Sequence, residues 1–415
     1  MQSTLEQVVL ESPIIRQEVS ALVKRGYAEK IVRKTAKKYL SEMGRDINTA
    51  SLAFTLQLVR LFLRNLDIKV IGNTAVFDHM QHGGVALVSS HFSYVDIGIF
   101  PKIFAENGVS DVYYMGGENV YGVPILGFPL KLWLTTSGMV PIIRNPMEER
   151  VHGQLYRASV NERGGRLLER RKNLVNYAGR GRHNTGLIKD VELTATPAII
   201  QHASIVYPVA VTYEKPPEED LFLLGKPQGG MARIEFALES YVKRLAHQKK
   251  SASILTAFAV AWENARGEVY VNFGSPIEVG NYNQGGGPVS KDDIRRFHLD
   301  LTSRVKELVT LTPNNVFAYA VKSLSESQPE SGRFDPVKIG EQMRQITMVA
   351  REAGMAVSSK LRPEEIGFVA MEASQYFTAL SNTYRNSPDR KPTSPIDFYA
   401  NQISEPLSLL LTAKS

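Results

Sequence analysis

The chain has 415 residues, 43% of them hydrophobic and 22% charged, a balance that supports a buried core and excludes a disordered polyelectrolyte. It contains no cysteine, which removes a disulfide framework, a thiolate metal site and a cysteine nucleophile together. The formal charge of +7 suits an anionic lipid surface, a nucleic acid or acidic small molecules, and equally a solvated basic surface with no partner.

Length points to two or three domains, or to one large α/β domain with helical additions. The N-terminus carries Glu6 and Glu11 and no long apolar run, so no secretory signal is expected there. Residues 1 to about 66 read as helices. Glu18 to Leu40 has helical spacing and carries Lys24, Arg25, Lys30, Arg33, Lys34, Lys37 and Lys38, with Glu29 four positions before Arg33. That basic run is either a solvated face or a membrane or partner surface. Leu52 to Leu63 is apolar around much of its circumference and reads as a core helix or as a helix lying in a membrane interface. The best candidate for a membrane span, Val120 to Ile143, is interrupted by Lys131 and by several prolines and glycines.

From Val85 onward short apolar runs alternate with helical patterns. Strands are expected at Val85 to Ser89, Asp111 to Met115, Met139 to Ile143, Leu174 to Tyr177, Ile205 to Tyr213, Ser253 to Ala261 and Val269 to Phe273. Helices are expected at Asp96 to Glu106, Glu149 to Ser159, Thr194 to His202 and Met231 to Gln248. Alternation of this kind predicts an α/β fold, with a central, mostly parallel mixed sheet flanked by helices and helical regions at both chain ends. The expected domains are an N-terminal helical region (1–80), an α/β domain (81–285) and a C-terminal helical region (286–415). The last follows a Gly-rich loop at Asn281 to Ser290 and has helical signals at Lys291 to Leu311, Pro336 to Ala353 and Pro363 to Leu380.

The sharpest chemical feature is Ser90-His91-Phe92-Ser93-Tyr94-Val95-Asp96. On a regular helix His91 and Asp96 would project about 140° apart. They can meet only across a strand end, a turn and a helix start, which the flanking patterns supply. In open α/β sheets ligands bind at the carboxyl ends of the strands. A neutral imidazole can take the proton of an attacking alcohol, and a carboxylate on its other nitrogen fixes the tautomer. There is no G-x-S-x-G elbow. Two fixed residues alone also occur where a histidine simply packs or caps.

Three later blocks follow in order. Gly138 to Arg144 places an arginine after a strand. Tyr177-Ala-Gly179-Arg180-Gly181-Arg182-His183-Asn184-Thr185-Gly186 combines glycines with two arginines. Ile205 to Val211 carries Pro208 on a strand. Glycines let backbone amides approach an anion, and arginine grips phosphate through two N–H groups. Singly, each block also reads as an ordinary turn or surface charge. His79 and His82 supply only two metal ligands, so no metal is expected. The basic residues are scattered and match no nucleic-acid motif, so no nucleic acid is expected as partner.

Over residues 85 to 280 the four blocks resemble the glycerolipid acyltransferases, the family of glycerol-3-phosphate and lysophosphatidate acyltransferases marked by a His-x4-Asp block. Met115-Gly-Gly-Glu118-Asn119-Val120 and Gly267 to Ile277, with its Asn272-Phe273-Gly274-Ser-Pro, are similar to stretches of the glycerol-3-phosphate branch. Gly179 stands where the family carries Glu, and the second arginine of that block is absent. The resemblance implies that His91 deprotonates the acceptor hydroxyl and Asp96 orients it. It implies that Arg144 and Arg182, with Arg180, hold the phosphate of glycerol 3-phosphate. Amides near Gly179 to Gly181, or at the start of the helix after His91, would hold the oxyanion. Gly138, Gly181 and Pro208 would shape the site wall. Val120 to Leu134 would line an acyl tunnel or touch a membrane, or belong to the core. The acyl donor would be acyl-CoA or acyl carrier protein as co-substrate, with no other cofactor. The enzyme would be cytoplasmic and peripheral on the inner face of the cell membrane. Two other readings stay open: a lysophosphatidate acyltransferase, and a membrane-peripheral binding protein of the same fold with altered catalysis.

Overall fold

The computed structural model describes residues 10–43, 46–117, 135–142, 153–179, 182–219, 223, 266–283, 287–327, 335–387 and 392–413. Among these, seven strands form one sheet in the order β1-β7-β6-β2-β5-β3-β4. The strands are β1 (Leu66–Gly72), β2 (Val85–Ser89), β3 (Val112–Gly117), β4 (Met139–Ile142), β5 (Asn173–Tyr177), β6 (Ile205–Tyr213) and β7 (Gly267–Phe273). Every neighbouring pair is parallel except β6 with β7. The expected α/β architecture with a mostly parallel mixed sheet is the one observed.

All five residues of β2 are buried, as a parallel strand covered on both faces requires. Its side chains alternate between two cores. Val85 and Leu87 join the cluster that holds Ile99, Phe100 and Phe104 of helix α5 (Asp96–Glu106). Ala86 and Val88 join the one that holds Leu155 and Leu168 of α6 (Gly153–Glu169) and Ile199 of α7 (Thr196–His202). The connection leaving β2 thus crosses one face and those around β5 cross the other, so the carboxyl end of β2 opens at a crevice.

The helical patterns at Asp96 to Glu106 and Thr194 to His202 are present. Four differences have identifiable causes. The stretch of helical spacing from Glu18 to Leu40 is divided between two helices, α1 (Pro13–Lys24) and α2 (Glu29–Glu42), because Gly26 at φ +96° lets the chain reverse between them. β1 is an edge strand lying in the region expected to be helical; its alternating pattern is short and half exposed. Helix α4 (Ala75–His82) falls beyond residue 66, where the helices read from the sequence end. Helix α6 runs past Ser159 to Glu169, because Glu162 and Arg166 pair within it at 2.9 Å and its buried Gly165 receives the His202 ring.

Helix α3 (Thr49–Phe62) lies on α5, with Val59 and Leu63 facing Gly98. The C-terminal region comprises α8 (Lys291–Glu307), opened by a Ser290–Asp293 capping box, then α9 (Pro313–Ser327), α10 (Pro336–Glu352), α11 (Ile366–Arg385) and α12 (Pro395–Ala413). Phe317, Phe377 and Tyr399 carry its core into the cluster that also holds Val271 and Phe273 of β7. The expected strand at Ser253 to Ala261, the helix at Met231 to Gln248 and the apolar stretch Val120 to Leu134 lie outside the described residues. Among the described residues no helix is long and apolar enough to cross a membrane.

Candidate active site

His91 follows β2 directly, between the carboxyl ends of β5 and β6. Backbone bonds continue past the strand: Ser90 N–H donates to Val209 O at 3.0 Å, Ala178 N–H to Ser89 O at 2.7 Å, and His183 N–H to His91 O at 2.7 Å. The chain then turns, and Asp96 opens α5. This strand–turn–helix path brings together two side chains that a regular helix would splay. His91 Nδ1 and Asp96 Oδ2 are 2.8 Å apart, with His91 7% exposed and Asp96 fully buried.

Asp96 receives four donors. Oδ2 accepts from His91 Nδ1, Phe92 N at 2.9 Å and Ser93 N at 3.1 Å, and Oδ1 accepts from the Tyr213 hydroxyl at 2.5 Å. An acceptor-only carboxylate satisfies all of them. With Nδ1 turned to that carboxylate, the imidazole proton sits on Nδ1 and Nε2 keeps its lone pair. The Tyr177 ring lies over the imidazole, centroids 4.6 Å apart. Burial, with the charge of Asp96 added, pushes the pKa of Tyr177 and Tyr213 well up, so both hydroxyls act as donors and not as acids.

The amides of the turn after His91 are already engaged. Phe92 and Ser93 donate to Asp96, Tyr94 to Glu218 at 2.7 Å, and Val95 to Ser93 Oγ at 3.0 Å. The helix start therefore offers no spare donor for an oxyanion, contrary to the expectation for it. The reason is local: Asp96 and Ser93 accept the amides of the turn that leads into the helix, and the first helical amides, those of Asp96, Ile97 and Gly98, bond to Ser93 O, Tyr94 O and Val95 O.

Arg182 lies against the His91 turn. Its guanidinium carbon is 3.9 Å from the centre of the Tyr94 ring, and its Nη1 is 3.2 Å from Glu218 Oε1. Glu218 is fully buried; besides Arg182 and Tyr94 N it accepts the Ser93 hydroxyl at 2.5 Å. Burial raises its pKa, and Arg182, Ser93 and Tyr94 oppose the shift. A second cation adjoins the same loop: Lys189 Nζ donates to Arg182 O at 2.9 Å. Gly179, at φ +73°, leaves room that an added Cβ would lose, 2.9 Å from Lys189 Cβ. His183 is fully buried, with Nδ1 3.3 Å from Lys189 N. Burial first, and then the nearby His91 and lysines, lower its pKa to about 3, so it stays neutral and is not a rival base.

The structure therefore joins His91, Asp96 and Arg182. Arg144, Arg180 and Gly181 lie outside the described residues. Gly138 does not belong to the site wall. Strand registers set it level with Ala86, five positions before His91, which is roughly 16 Å back along the strand direction at about 3.3 Å per residue, and three strands across the sheet. Its φ of +95° and the 2.6 Å from an added Cβ to Val112 O make it a turn glycine at the amino end of β4. Pro208 is buried in β6 level with Val88, its ring beside Gly274, in the sheet below the site. His79 Nδ1 lies 2.6 Å from the Tyr207 hydroxyl, and His82 Nδ1 lies 2.7 Å from Asp78 O. Residues outside the motifs are Lys189, Tyr213 and Glu218, and Ser93 and Tyr177 lie inside motifs that gave them no role. Glu218 sits in Pro216-Pro217-Glu218-Glu219-Asp220, and its burial is explained by the folded positions of Ser93, Tyr94 and Arg182.

No protein-family model matches the chain. Curated relatives from Pseudomonas paraeruginosa and Pseudomonas aeruginosa, both named glycerol-3-phosphate acyltransferase, are 23% identical to it over 346 residues, covering 76% of this chain. The chain corresponds to 38% of their length. A solved 1-acyl-sn-glycerophosphate acyltransferase from Thermotoga maritima aligns with 62% of this chain and 80% of its own, at a TM-score of 0.35 and 14% identity.

Proposed function

We propose that the chain is a glycerolipid acyltransferase of the glycerol-3-phosphate branch, transferring a fatty acyl group from a thioester, acyl-CoA or acyl carrier protein, to a hydroxyl of glycerol 3-phosphate; the curated matches and the order of the blocks support this reading. The observation that carries this reading is the 2.8 Å His91–Asp96 contact, which leaves Nε2 as a proton acceptor at a strand end beside Arg182.

In this reading Nε2 removes the acceptor's hydroxyl proton as the oxygen attacks the thioester carbonyl carbon. Asp96 stabilises the imidazolium that forms. The tetrahedral intermediate collapses with cleavage of the C–S bond, and the departing thiolate takes the proton back from Nε2. The products are the ester and a free thiol, with His91 restored. Arg182 holds the acceptor phosphate, with Arg144 and Arg180 assigned to the same task by the resemblance. No cofactor beyond the acyl donor is required. The acyl product and the basic, amphipathic N-terminal helices favour a cytoplasmic protein peripheral on the inner face of the cell membrane.

The test is acyl transfer by the purified chain to glycerol 3-phosphate and to lysophosphatidate, with each donor class. Greater kcat/KM for glycerol 3-phosphate is the expected result. Preference for lysophosphatidate would move the chain to the other branch, and transfer to neither would end the reading.

A further inference from the structure

Glu218 and Glu219 are consecutive and both buried, yet they serve different neighbours. Glu218 turns to the site, to Ser93, Tyr94 and Arg182. Glu219 turns to the C-terminal helices, where one oxygen, Oε1, accepts the hydroxyls of both Tyr376 on α11 and Tyr399 on α12. Lys215 stands 3.4 Å from its other oxygen. Two adjacent carboxylates taken out of water are tolerable only where each is held by charge-assisted bonds, so the position of this dipeptide is set from both sides.

The same helix also grips the loop that carries Arg182. Asn401 Nδ2 donates to Thr185 O at 3.0 Å. Gly186, at φ +83°, lies so close to α12 that an added Cβ would come within 1.9 Å of Phe398 O. Both members of the Arg182–Glu218 pair are therefore tied to α12, one through Thr185 and Gly186, the other through Glu219 and Tyr399.

We propose that Tyr376 and Tyr399 are positioning residues: acting through Glu219, they fix Glu218 and thereby the guanidinium of Arg182, and so set the affinity for the acceptor's phosphate. The C-terminal helices on this view hold the acceptor site in register with His91 and take no part in proton transfer. Removing the two hydroxyls takes away the bonds that tie Glu219 to α11 and α12, leaving Lys215 beside it, and lets Glu218 shift, which moves the guanidinium off the phosphate while His91 and Asp96 keep their contact. The inference rests on the reaction proposed above, but its test does not need that reaction.

The experiment measures glycerol 3-phosphate binding to the full chain by calorimetry, beside KM and kcat for acyl transfer. Tyr376→Phe/Tyr399→Phe should weaken Kd and raise KM about tenfold, with kcat within about twofold of wild type. Glu219→Gln keeps an oxygen that can accept both hydroxyls and should stay within about threefold of wild type. Ile339→Val, which thins the core of α10 away from Glu219, should lower Tm and leave Kd unchanged. A double Tyr variant with native Kd, or one that loses kcat at constant KM, overturns the proposal, as does an equal loss of affinity in Ile339→Val. A wild-type chain that binds glycerol 3-phosphate but transfers nothing defeats the proposed reaction alone, and the Kd comparison still decides the positioning role. A chain that binds neither glycerol 3-phosphate nor inorganic phosphate overturns both.

Discussion

Replacing Asp96 by Asn isolates its charge from its shape. The carboxylate accepts from four groups, three on Oδ2 and one on Oδ1. An asparagine oxygen placed where Oδ2 lies still receives His91 Nδ1, Phe92 N and Ser93 N. Its amide then faces the Tyr213 hydroxyl, which can rotate to accept. The imidazole keeps its tautomer, and what disappears is the negative charge that stabilises the imidazolium during transfer. Two unit charges about 4 Å apart at an effective dielectric of about 20 attract by about 4 kcal/mol. That corresponds to a loss of about a thousandfold in kcat. The KM for the acceptor should move by less than about threefold, because uniform binding is untouched. Thiol release from an acyl-CoA donor reads the rate directly, since a chain without cysteine adds no background to a thiol reagent. Circular dichroism checks that the variant is folded. A folded Asp96→Asn enzyme within about tenfold of the wild-type kcat would refute the assigned role.

Arg182→Lys keeps a charge opposite Glu218 but loses the planar fork, and should raise the KM for glycerol 3-phosphate about tenfold with little change in kcat; steady-state kinetics over acceptor concentration check this. His183, whose pKa burial lowers from 6.5 to about 3, cannot take the proton that the unfolded chain binds as pH falls. Its contribution to stability is therefore complete above pH 6.5 and declines toward pH 3, by about 1.4 kcal/mol per pH unit. Urea midpoints measured from pH 7 to 4 should show a shallower decline in His183→Gln than in wild type. Gly186→Ala forces a left-handed residue and a 1.9 Å approach to Phe398 O, and should cost about 3 kcal/mol or more, seen as a lowered Tm.

The interior strands were legible in the sequence because each is a short apolar run bounded by turn residues, and β2 and β6 match their expected limits. Helices α9 and α12 were not read: α9 mixes Asn314, Asn315 and Lys322 with its apolar positions, and α12 carries Pro406 inside a helical stretch. At the site, His91 and Asp96 were visible because motif spacing marks side chains that face one another across a turn, whereas Arg182 was marked only by the resemblance of its block. Glu218 and Tyr213 were not, since each acts through a partner more than thirty positions away and carries no local pattern. Gly138 was misplaced for a related reason. Its glycine need comes from Val112 O on the neighbouring strand, and only the sheet register shows at which end of the sheet that contact falls.

The central claim is that the imidazole of His91 takes the acceptor's proton. Its most direct test is single-turnover acyl transfer to glycerol 3-phosphate by His91→Ala, under conditions where calorimetry shows that the acceptor is still bound. The expected result is a rate lower by about 10²–10⁴, with acceptor affinity retained. A His91→Ala protein that transfers the acyl group at the wild-type rate would contradict the account.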